Sequence, residues 1–279
     1  MEIKIAGIKI SSPEKIIYPQ KGITKLDVVK YYEKVAEFML PFIKNRPLAV
    51  IRCHDNIQNT FFKKHPTTDR EITNTFFDED EEYFYVKSKK DIIYQAQMGT
   101  IEFHPWGSRL PKIQQPNLMV FDLDPGEDIS IERLREGVRD LKNILTELHL
   151  TCFLKTSGGK GYHVVVPFKR TNNWNTFSQF SKRVAELMEL QFPYKYTTNI
   201  RKNQRQGKIF IDYLRNTKGA TCIAPYSLRA RENAPISMPI SWKDLNKITP
   251  NQITIENIKP KMLNFDVWDT LDQTGQILK

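Results

Sequence analysis

Apolar and polar residues alternate along this chain in patterns that predict short strands and three longer helices. The clearest helical spacing follows Thr24, where Val29 and Tyr32 lie on one face. Asp27 stands three positions after Thr24, which is the spacing of a capping box. The sequence therefore predicts a helix that begins at Thr24 and ends near residue 43.

A β-α-β unit is predicted in the middle of the chain. The apolar run at 118–123 is typical of a buried strand. Leu134 and Val138 then mark one apolar face of a helix over roughly 130–148, and a short strand at 152–154 completes the unit. The remaining predicted elements are strands at 2–10, 48–52, 162–166 and 209–212, a helix at 174–190, and short elements at 92–94 and 100–104.

Composition is that of an ordinary globular protein and leaves the class of its partner open. Of the 279 residues, 40% are hydrophobic and 27% are charged, and no apolar run approaches the ~20 residues that span a bilayer. The N-terminus lacks the apolar block of a signal peptide. A net charge of +10 favours an anionic partner without distinguishing DNA, RNA and membrane surfaces. The three cysteines are far apart, which argues against a zinc site or a disulfide framework.

Two aspartates at the end of the central strand are the first candidates for chemistry. Asp122 and Asp124 are two positions apart, so on a strand both carboxylates point to the same face. Carboxylates crowded together repel unless a cation lies between them, and hard Mg²⁺ or Mn²⁺ suits oxygen ligands. Asp212 also closes an apolar strand, and three such carboxylates can hold two metal ions. The alternative is a simple turn, because Pro125 and Gly126 follow directly.

The glycine-rich segment at 157–161 is the second candidate. It is not a Walker A loop, because G-x-x-x-x-G-K-[ST] is absent. Glycines allow backbone N–H groups to approach an anion, and Lys160 adds a positive charge. The segment predicts a polyphosphate site formed by Ser157, Lys160 and His163, with a flexible hairpin as the alternative. A metal site beside a polyphosphate site indicates nucleotidyl transfer.

Three further groups carry weaker signals. Arg229 and Arg231 would share a strand face that suits phosphate oxygens, or they form a solvated basic edge. Phe61 and Phe62, next to lysines, are either a base-stacking platform or a core aromatic pair. Taken alone, His104 is more often structural than functional.

These motifs, in this order, resemble the polymerase domain of bacterial ligase D, which belongs to the archaeo-eukaryotic primase superfamily and is used in non-homologous end joining. The resemblance runs over nearly the whole chain. Its central phrases are Phe121-Asp122-Leu123-Asp124-Pro125-Gly126 and Lys155-Thr156-Ser157-Gly158-Gly159-Lys160-Gly161-Tyr162-His163-Val164. Further matching segments lie at 12–19, 22–25, 61–65, 102–106, 211–216 and 224–231.

The resemblance implies an α+β, archaeo-eukaryotic primase-like fold, with a catalytic sheet like that of RNA-recognition motifs packed against an N-terminal α/β module. We expect one primase-polymerase domain over 1–279. Its expected parts are an N-terminal module with DNA-end-binding elements (1–115), a catalytic module (116–235) and a C-terminal appendage (236–279). No K-x-D-G ligase nucleophile is present, so we expect a stand-alone polymerase with a separate DNA ligase and Ku as partners.

The resemblance also implies a role for each candidate residue. Asp122, Asp124 and Asp212 are expected to be catalytic and to hold two divalent ions, Mn²⁺ or Mg²⁺. The expected nucleotide-binding residues are His104, Ser157, Lys160, His163, Arg229 and Arg231. The expected DNA-binding residues are Lys15 and Lys25 at a 5′-phosphate, Phe61 and Phe62 stacked on the template strand, and Arg205 in a basic loop.

The expected activity is metal-dependent extension of a primer 3′-hydroxyl at a DNA break or gap that carries a 5′-phosphate. Ribonucleotides are expected to be favoured, and the expected location is the cytoplasm, at the nucleoid. One alternative, a primase that starts chains without a primer, would use the same metal site. A second is a non-catalytic module that binds DNA ends, and the presence of all three aspartates argues against it. A metal-dependent nuclease is a third alternative, and it would gain nothing from a triphosphate pocket.

Overall fold

The computed structural model describes residues 2–66, 74–205, 207–263, 268, 271 and 274–278. The chain divides into two compact units, each built from three separate stretches. The first unit comprises Met1–Trp106, Ile223–Ser237 and Ile253–Asn264, and the second comprises Gly107–Cys222, Met238–Gln252 and Phe265–Lys279. Among the described residues, no helix has both the length and the apolar content needed to cross a bilayer.

The stretch from Ile223 to Ser237 belongs to the first unit, although it was expected at the end of the catalytic module. Hydrogen bonds to the N-terminal part of the chain explain this placement. The Ala224 N–H donates to the Phe103 carbonyl at 2.8 Å, and the Phe103 N–H donates to Ser227 Oγ at 3.0 Å. Residues of the expected appendage, 236–279, are divided between the two units.

The first unit contains two helices and nine described strands. In chain order they are β1 (Lys4–Ile5), β2 (Ile8–Lys9), β3 (Ile16–Tyr18), β4 (Ile23–Thr24), α1 (Lys25–Ile43), β5 (Leu48–Cys53), β6 (Thr60–Lys63), β7 (Asn74–Asp78), β8 (Glu81–Tyr85), α2 (Lys89–Gln97) and β9 (Thr100–Pro105). Short 3-10 helices lie at Pro19–Lys21 and Pro260–Met262.

Local signals account for α1. Its predicted capping box is present, because Thr24 Oγ1 accepts from the Asp27 N–H at 3.2 Å and Asp27 Oδ2 accepts from the Thr24 N–H at 2.9 Å. Val29 and Tyr32 are buried, as the apolar spacing predicts. The predicted helix is therefore confirmed at both ends.

The prediction of a single strand over 2–10 is wrong. The segment folds into the hairpin of β1 and β2 instead, with Lys4 opposite Lys9. Ala6 and Gly7 form the turn with φ values of 49° and 76°, and this left-handed region cannot continue a strand.

Strand β5 is the centre of the sheet in the first unit. It pairs antiparallel with β6, β8 and β9, and β7 extends the sheet beyond β8. The β5–β6 register sets Arg52 opposite Phe61 and Ile51 opposite Phe62. Because side chains alternate along a strand, Phe61 and Phe62 project from opposite faces.

The second unit contains two helices and six described strands. They are β10 (Leu118–Pro125), α3 (Ile131–Glu147), β11 (Phe153–Thr156), β12 (Tyr162–Pro167), α4 (Trp174–Gln191), β13 (Tyr196–Thr197), β14 (Ile209–Asp212) and β15 (Pro239–Ile240). Short 3-10 helices lie at Lys202–Gln204, Leu214–Asn216 and Trp242–Asp244.

The strands of the second unit form one sheet in the order β13-β14-β10-β12-β11-β15. Strand β12 lies between β10 and β11 and is antiparallel to both, so the predicted β-α-β unit is present in its split form. Strand β10 is longer than the predicted 118–123, and Asp122 and Asp124 lie within it.

Helix α3 covers one face of this sheet and leaves the aspartates on the other. Gly137 of α3 lies against Leu123, since a Cβ added to Gly137 would be 3.5 Å from Leu123 Cδ2. Leu123 therefore points toward α3. Alternation along β10 directs Asp122 and Asp124 to the opposite face, which is the candidate catalytic surface.

Candidate active site

Four polar side chains form one row across the sheet of the second unit. The strand registers set Asp212 opposite Asp122, Asp122 opposite His163, and His163 opposite Lys155. Residues directly opposite each other in antiparallel strands share a face and lie close together. The structure thus brings together two of the three predicted catalytic aspartates and one predicted nucleotide ligand.

Arg215 bridges the two aspartates of this row. Its Nε lies 3.0 Å from Asp212 Oδ2, and its Nη2 lies 3.9 Å from Asp122 Oδ2. The second Asp212 oxygen, Oδ1, accepts from the Leu214 N–H at 3.0 Å. Both oxygens of Asp212 therefore have partners in the chain itself.

His163 is held from both sides of its ring. Its Nε2 is 3.3 Å from Asp122 Oδ1, and its Nδ1 is 3.1 Å from the Cys222 Sγ. Burial acts to raise the pKa of Asp122, but His163 and Arg215 outweigh it and the pKa falls to about 2. Burial acts to lower the pKa of His163, yet Asp122 and Cys222 raise it above its usual value. Asp122 is thus held as a carboxylate beside a ring that favours its protonated form.

Asp212 is perturbed in the opposite direction from Asp122. Burial raises its pKa, Arg215 opposes this, and the neighbouring Asp122 charge adds to it, so the pKa of Asp212 is raised. The two carboxyl groups therefore differ: Asp122 stays ionised, and its negative charge disfavours ionisation of Asp212. A further cation would relieve this repulsion.

Asp124 lies at the edge of the row and has a different cationic neighbour. Its Oδ2 is 3.9 Å from Arg205 Nη1, and the guanidinium carbon of Arg205 lies 3.6 Å above the centre of the Phe210 ring. Phe210 is the register partner of Asp124 on β14. Arg205 was predicted to bind DNA, and the structure places it beside a predicted metal ligand.

The three aspartates suit a hard divalent ion in their chemistry, because they offer carboxylate oxygens on one face of one sheet. Among the described residues, however, no group of three or more His, Cys, Asp or Glu side chains converges in a ligand arrangement. The described contacts of these carboxylates are with Arg215, Arg205 and His163. Metal coordination by the three aspartates stays a prediction.

The glycine-rich segment is more internally bonded than the sequence predicted. Ser157 Oγ accepts from the N–H groups of Gly159 at 3.0 Å and Gly161 at 3.2 Å, and the Gly158 N–H donates to the Pro250 carbonyl at 3.0 Å. These three N–H groups are therefore occupied. The backbone cradle expected for an anion is not formed by them, and Ser157 acts as the centre of the turn.

Lys160 is exposed and lines a cavity of about 370 Å³. The cavity is polar and carries charges of both signs. Its lining residues are Asp124, Pro125, Gly126, Glu127, Asp128, Lys160, Arg205 and Gly207. Lys160 thus opens onto the same cavity as Asp124, which is the arrangement that a metal-bound polyphosphate would need.

Two predicted site residues of the first unit, His104 and Arg229, contact the buried Glu102 carboxylate. Glu102 Oε2 lies 2.8 Å from His104 Nε2 and 3.1 Å from Arg229 Nε, and Glu102 Oε1 accepts from the Ala230 N–H at 2.8 Å. Arg229 and Arg231 were predicted to share a strand face, and this is wrong. They lie in a turn, since the Arg231 N–H donates to the Arg229 carbonyl at 2.8 Å.

Lys15 and Lys25 also lie together in the first unit. The Lys25 N–H donates to the Lys15 carbonyl at 2.7 Å, and Lys25 Nζ donates to Ser11 Oγ at 3.2 Å. Burial lowers the pKa of the Lys25 ammonium, and nearby Lys15 lowers it further. Lys15 Nζ lies 3.7 Å from the exposed Asp55 carboxylate. A buried lysine beside another lysine is a favourable place for an anion.

Phe61 and Phe62 have different neighbours, as their alternation on β6 requires. Phe61 stacks on His54, with ring centres 4.5 Å apart, and Lys15 Nζ donates to the His54 carbonyl. Phe62 is half exposed and meets the edge of His104, with ring centres 6.4 Å apart. The two aromatics belong to two local surfaces and do not form one platform.

Sequence reasoning missed Arg215, Glu102 and Cys222. Arg215 stands three residues after Asp212, a spacing that suits an ion pair in a helical turn. Glu102 stands two residues before His104 on β9 and therefore shares its face. Both signals were available in the sequence. Cys222 carried none, because only the fold brings it to His163.

Comparison with known proteins gives one consistent result. The family model described as LigD, primase-polymerase domain, matches residues 24–268. The multifunctional non-homologous end joining protein LigD of Pseudomonas aeruginosa is 31% identical over 264 residues, covering 92% of this chain and 31% of that protein. The bifunctional LigD of Bacillus subtilis is 29% identical over 255 residues, covering 90% of this chain and 42% of that protein.

A solved structure matches over almost the full length of both chains. It is the polymerase domain from Mycobacterium tuberculosis ligase D in complex with DNA, with a TM-score of 0.87, 28% sequence identity, and coverage of 96% of this chain and 99% of that one. This match confirms the predicted α+β primase-like fold. The present chain spans about a third of the length of the Pseudomonas and Mycolicibacterium smegmatis LigD proteins.

Proposed function

Because this chain belongs to the LigD primase-polymerase domain family of end-joining DNA repair proteins, we propose that it extends a primer 3′-hydroxyl by template-directed nucleotidyl transfer. The substrate is a DNA gap or break with a 5′-phosphate. The observation that carries the proposal is the register of Asp122 and Asp212, which places two carboxylates side by side on the face left open by α3. The family supports a nucleotidyltransferase type of enzyme.

Asp122, Asp124 and Asp212 would hold two divalent ions, Mg²⁺ or Mn²⁺. Such ions, when bound, lower the pKa of an attacking hydroxyl and neutralise a triphosphate. The chain's own contribution is a rigid sheet that keeps Asp122 ionised, with His163 fixed against it. This arrangement supplies fixed charge where charge develops in the reaction.

The triphosphate would be bound by cationic and hydrogen-bonding side chains. In the second unit, Lys160 provides a point charge at the cavity that it shares with Asp124, and Ser157 and His163 flank the glycine turn. For His104, Arg229 and Arg231, which belong to the first unit, a nucleotide-binding role is proposed from the family resemblance alone. Preference for ribonucleotides is carried only by the family resemblance.

Lys15 and Lys25 would hold the 5′-phosphate. The two ammonium groups lie on adjoining backbone segments, and Lys25 is buried with Ser11 as its neighbour, so an incoming phosphate would relieve their mutual repulsion. Phe61 would stack beside this phosphate, and Phe62 and Arg205 would contact other parts of the DNA. A separate DNA ligase and Ku are the expected partners for the later steps.

Primer extension on a gapped, 5′-phosphorylated duplex tests this proposal. Ribonucleotides and deoxyribonucleotides are compared, each with Mg²⁺ and with Mn²⁺. Asp122→Asn keeps the size of the side chain and removes its charge, so we expect extension to fall on the order of a thousandfold while DNA binding is kept. Asp80→Asn, in the exposed turn between β7 and β8, makes the same change as a control and should extend normally.

Other outcomes would identify the alternatives. Products formed on template without a primer indicate a primase. Binding of DNA ends with no extension under any of the four conditions indicates a non-catalytic module. Shortening of strands without added nucleotides indicates a nuclease. Full extension by Asp122→Asn would refute the role of this carboxylate.

A further inference from the structure

The candidate catalytic carboxylates already have cations of the chain's own on their oxygens. Three negative charges, on Asp122, Asp124 and Asp212, face the guanidinium groups of Arg215 and Arg205 and the ring of His163. A divalent ion at the same carboxylates would meet these groups. Binding of a divalent ion would therefore bring it close to positive groups of the chain that already contact these oxygens.

We propose that Arg215 competes with divalent ions for the Asp122 and Asp212 carboxylates and so sets the metal concentration that the site requires. This inference rests on the proposed function in taking these carboxylates as metal ligands. It concerns Arg215 because this residue alone, among the described ion pairs, contacts both aspartates.

The contacts of Arg215 favour competition over simple support. Its Nε is within hydrogen-bond distance of Asp212 Oδ2, at 3.0 Å, while the other oxygen of Asp212 is bonded to the Leu214 N–H. Each oxygen still has a lone pair for an ion, but an ion on Asp212 Oδ2 would lie next to the positive guanidinium of Arg215, and the two cations would repel each other. The backbone N–H cannot leave without breaking the turn, whereas the Arg215 side chain is 44% exposed and can move into solvent.

The position of Arg215 is set by a buried asparagine next to it. Asn216 Oδ1 accepts from the Val120 N–H at 2.7 Å, and its Nδ2 donates to the Val120 carbonyl at 2.8 Å. Asn216 thus fastens the 3-10 helix Leu214–Asn216 to β10, two residues before Asp122. The backbone of Arg215 is fixed beside the carboxylates while its side chain stays free to release them.

Competition between two cations for one site has a thermodynamic consequence. Removing one of them must tighten the binding of the other, and the change in affinity measures their coupling. Arg215→Gln removes the charge and keeps most of the side-chain length. We expect it to bind Mn²⁺ about tenfold more tightly, within the range usual for coupled sites.

Titration calorimetry of the full chain with Mn²⁺ alone, without nucleotide or DNA, tests this expectation. Arg215→Lys keeps the charge and loses the planar fork that reaches both carboxylates, so its affinity should fall between those of the wild type and Arg215→Gln. Arg183→Gln, an exposed position on α4, makes the same charge change and should bind Mn²⁺ like the wild type. Unchanged or weaker Mn²⁺ binding by Arg215→Gln would overturn the proposal.

A second readout covers the case in which a variant is unstable. The thermal midpoint of each variant is measured with EDTA and with saturating Mn²⁺. Arg215→Gln should melt below the wild type in EDTA, and Mn²⁺ should raise its midpoint by more than it raises that of the wild type. Equal Mn²⁺-induced shifts in the two proteins would contradict competition. If Arg215→Gln does not fold at all, the Arg215→Lys affinity decides, and a value equal to or weaker than the wild type rejects the proposal.

The test separates this inference from the proposed function. If the Arg215 variants show the expected order of Mn²⁺ affinities but the wild type extends no primer, the competition is supported and the polymerase assignment is rejected. Normal extension together with no effect of Arg215→Gln on Mn²⁺ affinity gives the reverse result. No Mn²⁺ binding by either protein overturns the inference directly.

Discussion

At the scale of single residues, Glu102 shows how one buried carboxylate can organise two candidate ligands. Its side chain is 3% exposed and contacts His104, Arg229 and the Ala230 N–H. Burial acts to raise the pKa of Glu102, but the bond to His104 and the charge of Arg229 outweigh it and lower the pKa to about 2. A buried carboxylate of this kind stabilises the fold only while it is ionised.

This predicts a defined acid sensitivity. The pKa of Glu102 is lower in the folded than in the unfolded chain, where it is about 4.3, so its stabilising effect is complete above about pH 4.5 and is lost as the pH falls toward about 2. Glu102→Gln should lower the free energy of unfolding at neutral pH by on the order of 3 kcal/mol, with a smaller deficit at lower pH. Urea unfolding at a series of pH values measures this difference.

The matched control for this charge change is Glu147→Gln, at the exposed end of α3. Its unfolding free energy should follow that of the wild type at every pH. A Glu102→Gln deficit that stays constant from neutral pH down to the acid limit would show that the residue acts by shape and not by charge.

At the scale of elements, the junction of β10 with the glycine turn is the tightest contact near the row of polar residues. A Cβ added to Gly161 would lie 2.2 Å from the Leu123 carbonyl oxygen, a distance at which backbone must move. Leu123 and Tyr162 are the last register partners of β10 and β12. Gly161 therefore fixes the end of the strand pair that carries Asp122 and His163.

Gly161→Ala should accordingly separate these strand ends. We expect the free energy of unfolding to fall by about 3 kcal/mol, because the clash is with backbone and cannot be relieved by a rotamer change. Chemical denaturation measures the loss. Gly126→Ala is the control, since its added Cβ meets nothing nearer than 3.4 Å. Equal stabilities of the two variants would mean that the turn shifts without cost.

Elements with local signals could be predicted from the sequence, and those made by distant contacts could not. Helices α1, α3 and α4 have apolar periodicity and hydroxyl or amide caps, and their predicted bounds agree with the structure to within a few residues. Strands β13 and β15 have two residues each and exist only through pairing, so no periodicity marks them. The same limit applies to the candidate site.

In the candidate site, features set by neighbouring residues could be predicted, and features set by strand pairing could not. The common face of Asp122 and Asp124 follows from the two-residue period of a strand, and the structure confirms that both lie in β10. That Asp212 is the register partner of Asp122 depends on how β14 pairs, which the sequence does not state. Arg229 was misjudged because its turn is held by Glu102, which is distant in sequence.

At the scale of the whole molecule, the net charge of +10 is the feature that bears on partner choice. Cationic side chains attract any polyanion, with an affinity that falls as salt rises. The specificity that we propose for a 5′-phosphorylated end would have to come from particular positions. Lys15 and Lys25 are the paired positions on which we base this specificity.

Lys15→Ala should therefore change discrimination more than general affinity. We expect binding to a gapped duplex with a 5′-phosphate to weaken about tenfold, and binding to the same duplex without the phosphate to stay nearly unchanged. Fluorescence anisotropy at one fixed salt concentration compares the two duplexes. Lys90→Ala, which removes an exposed lysine from α2, should weaken both slightly and equally. The same equal pattern in Lys15→Ala would exclude a phosphate-specific role.

The interleaved path of the chain limits how this protein can be dissected. The Tyr31 hydroxyl donates to the Tyr226 carbonyl at 2.7 Å, and the Phe103 N–H donates to Ser227 Oγ, so the N-terminal unit is completed by a stretch encoded more than a hundred residues later. A fragment cut after Trp106 would leave these buried donors without acceptors. We therefore expect a fragment truncated after Trp106 to misfold. Adding a peptide of residues 223–237 to this fragment would restore the missing acceptors.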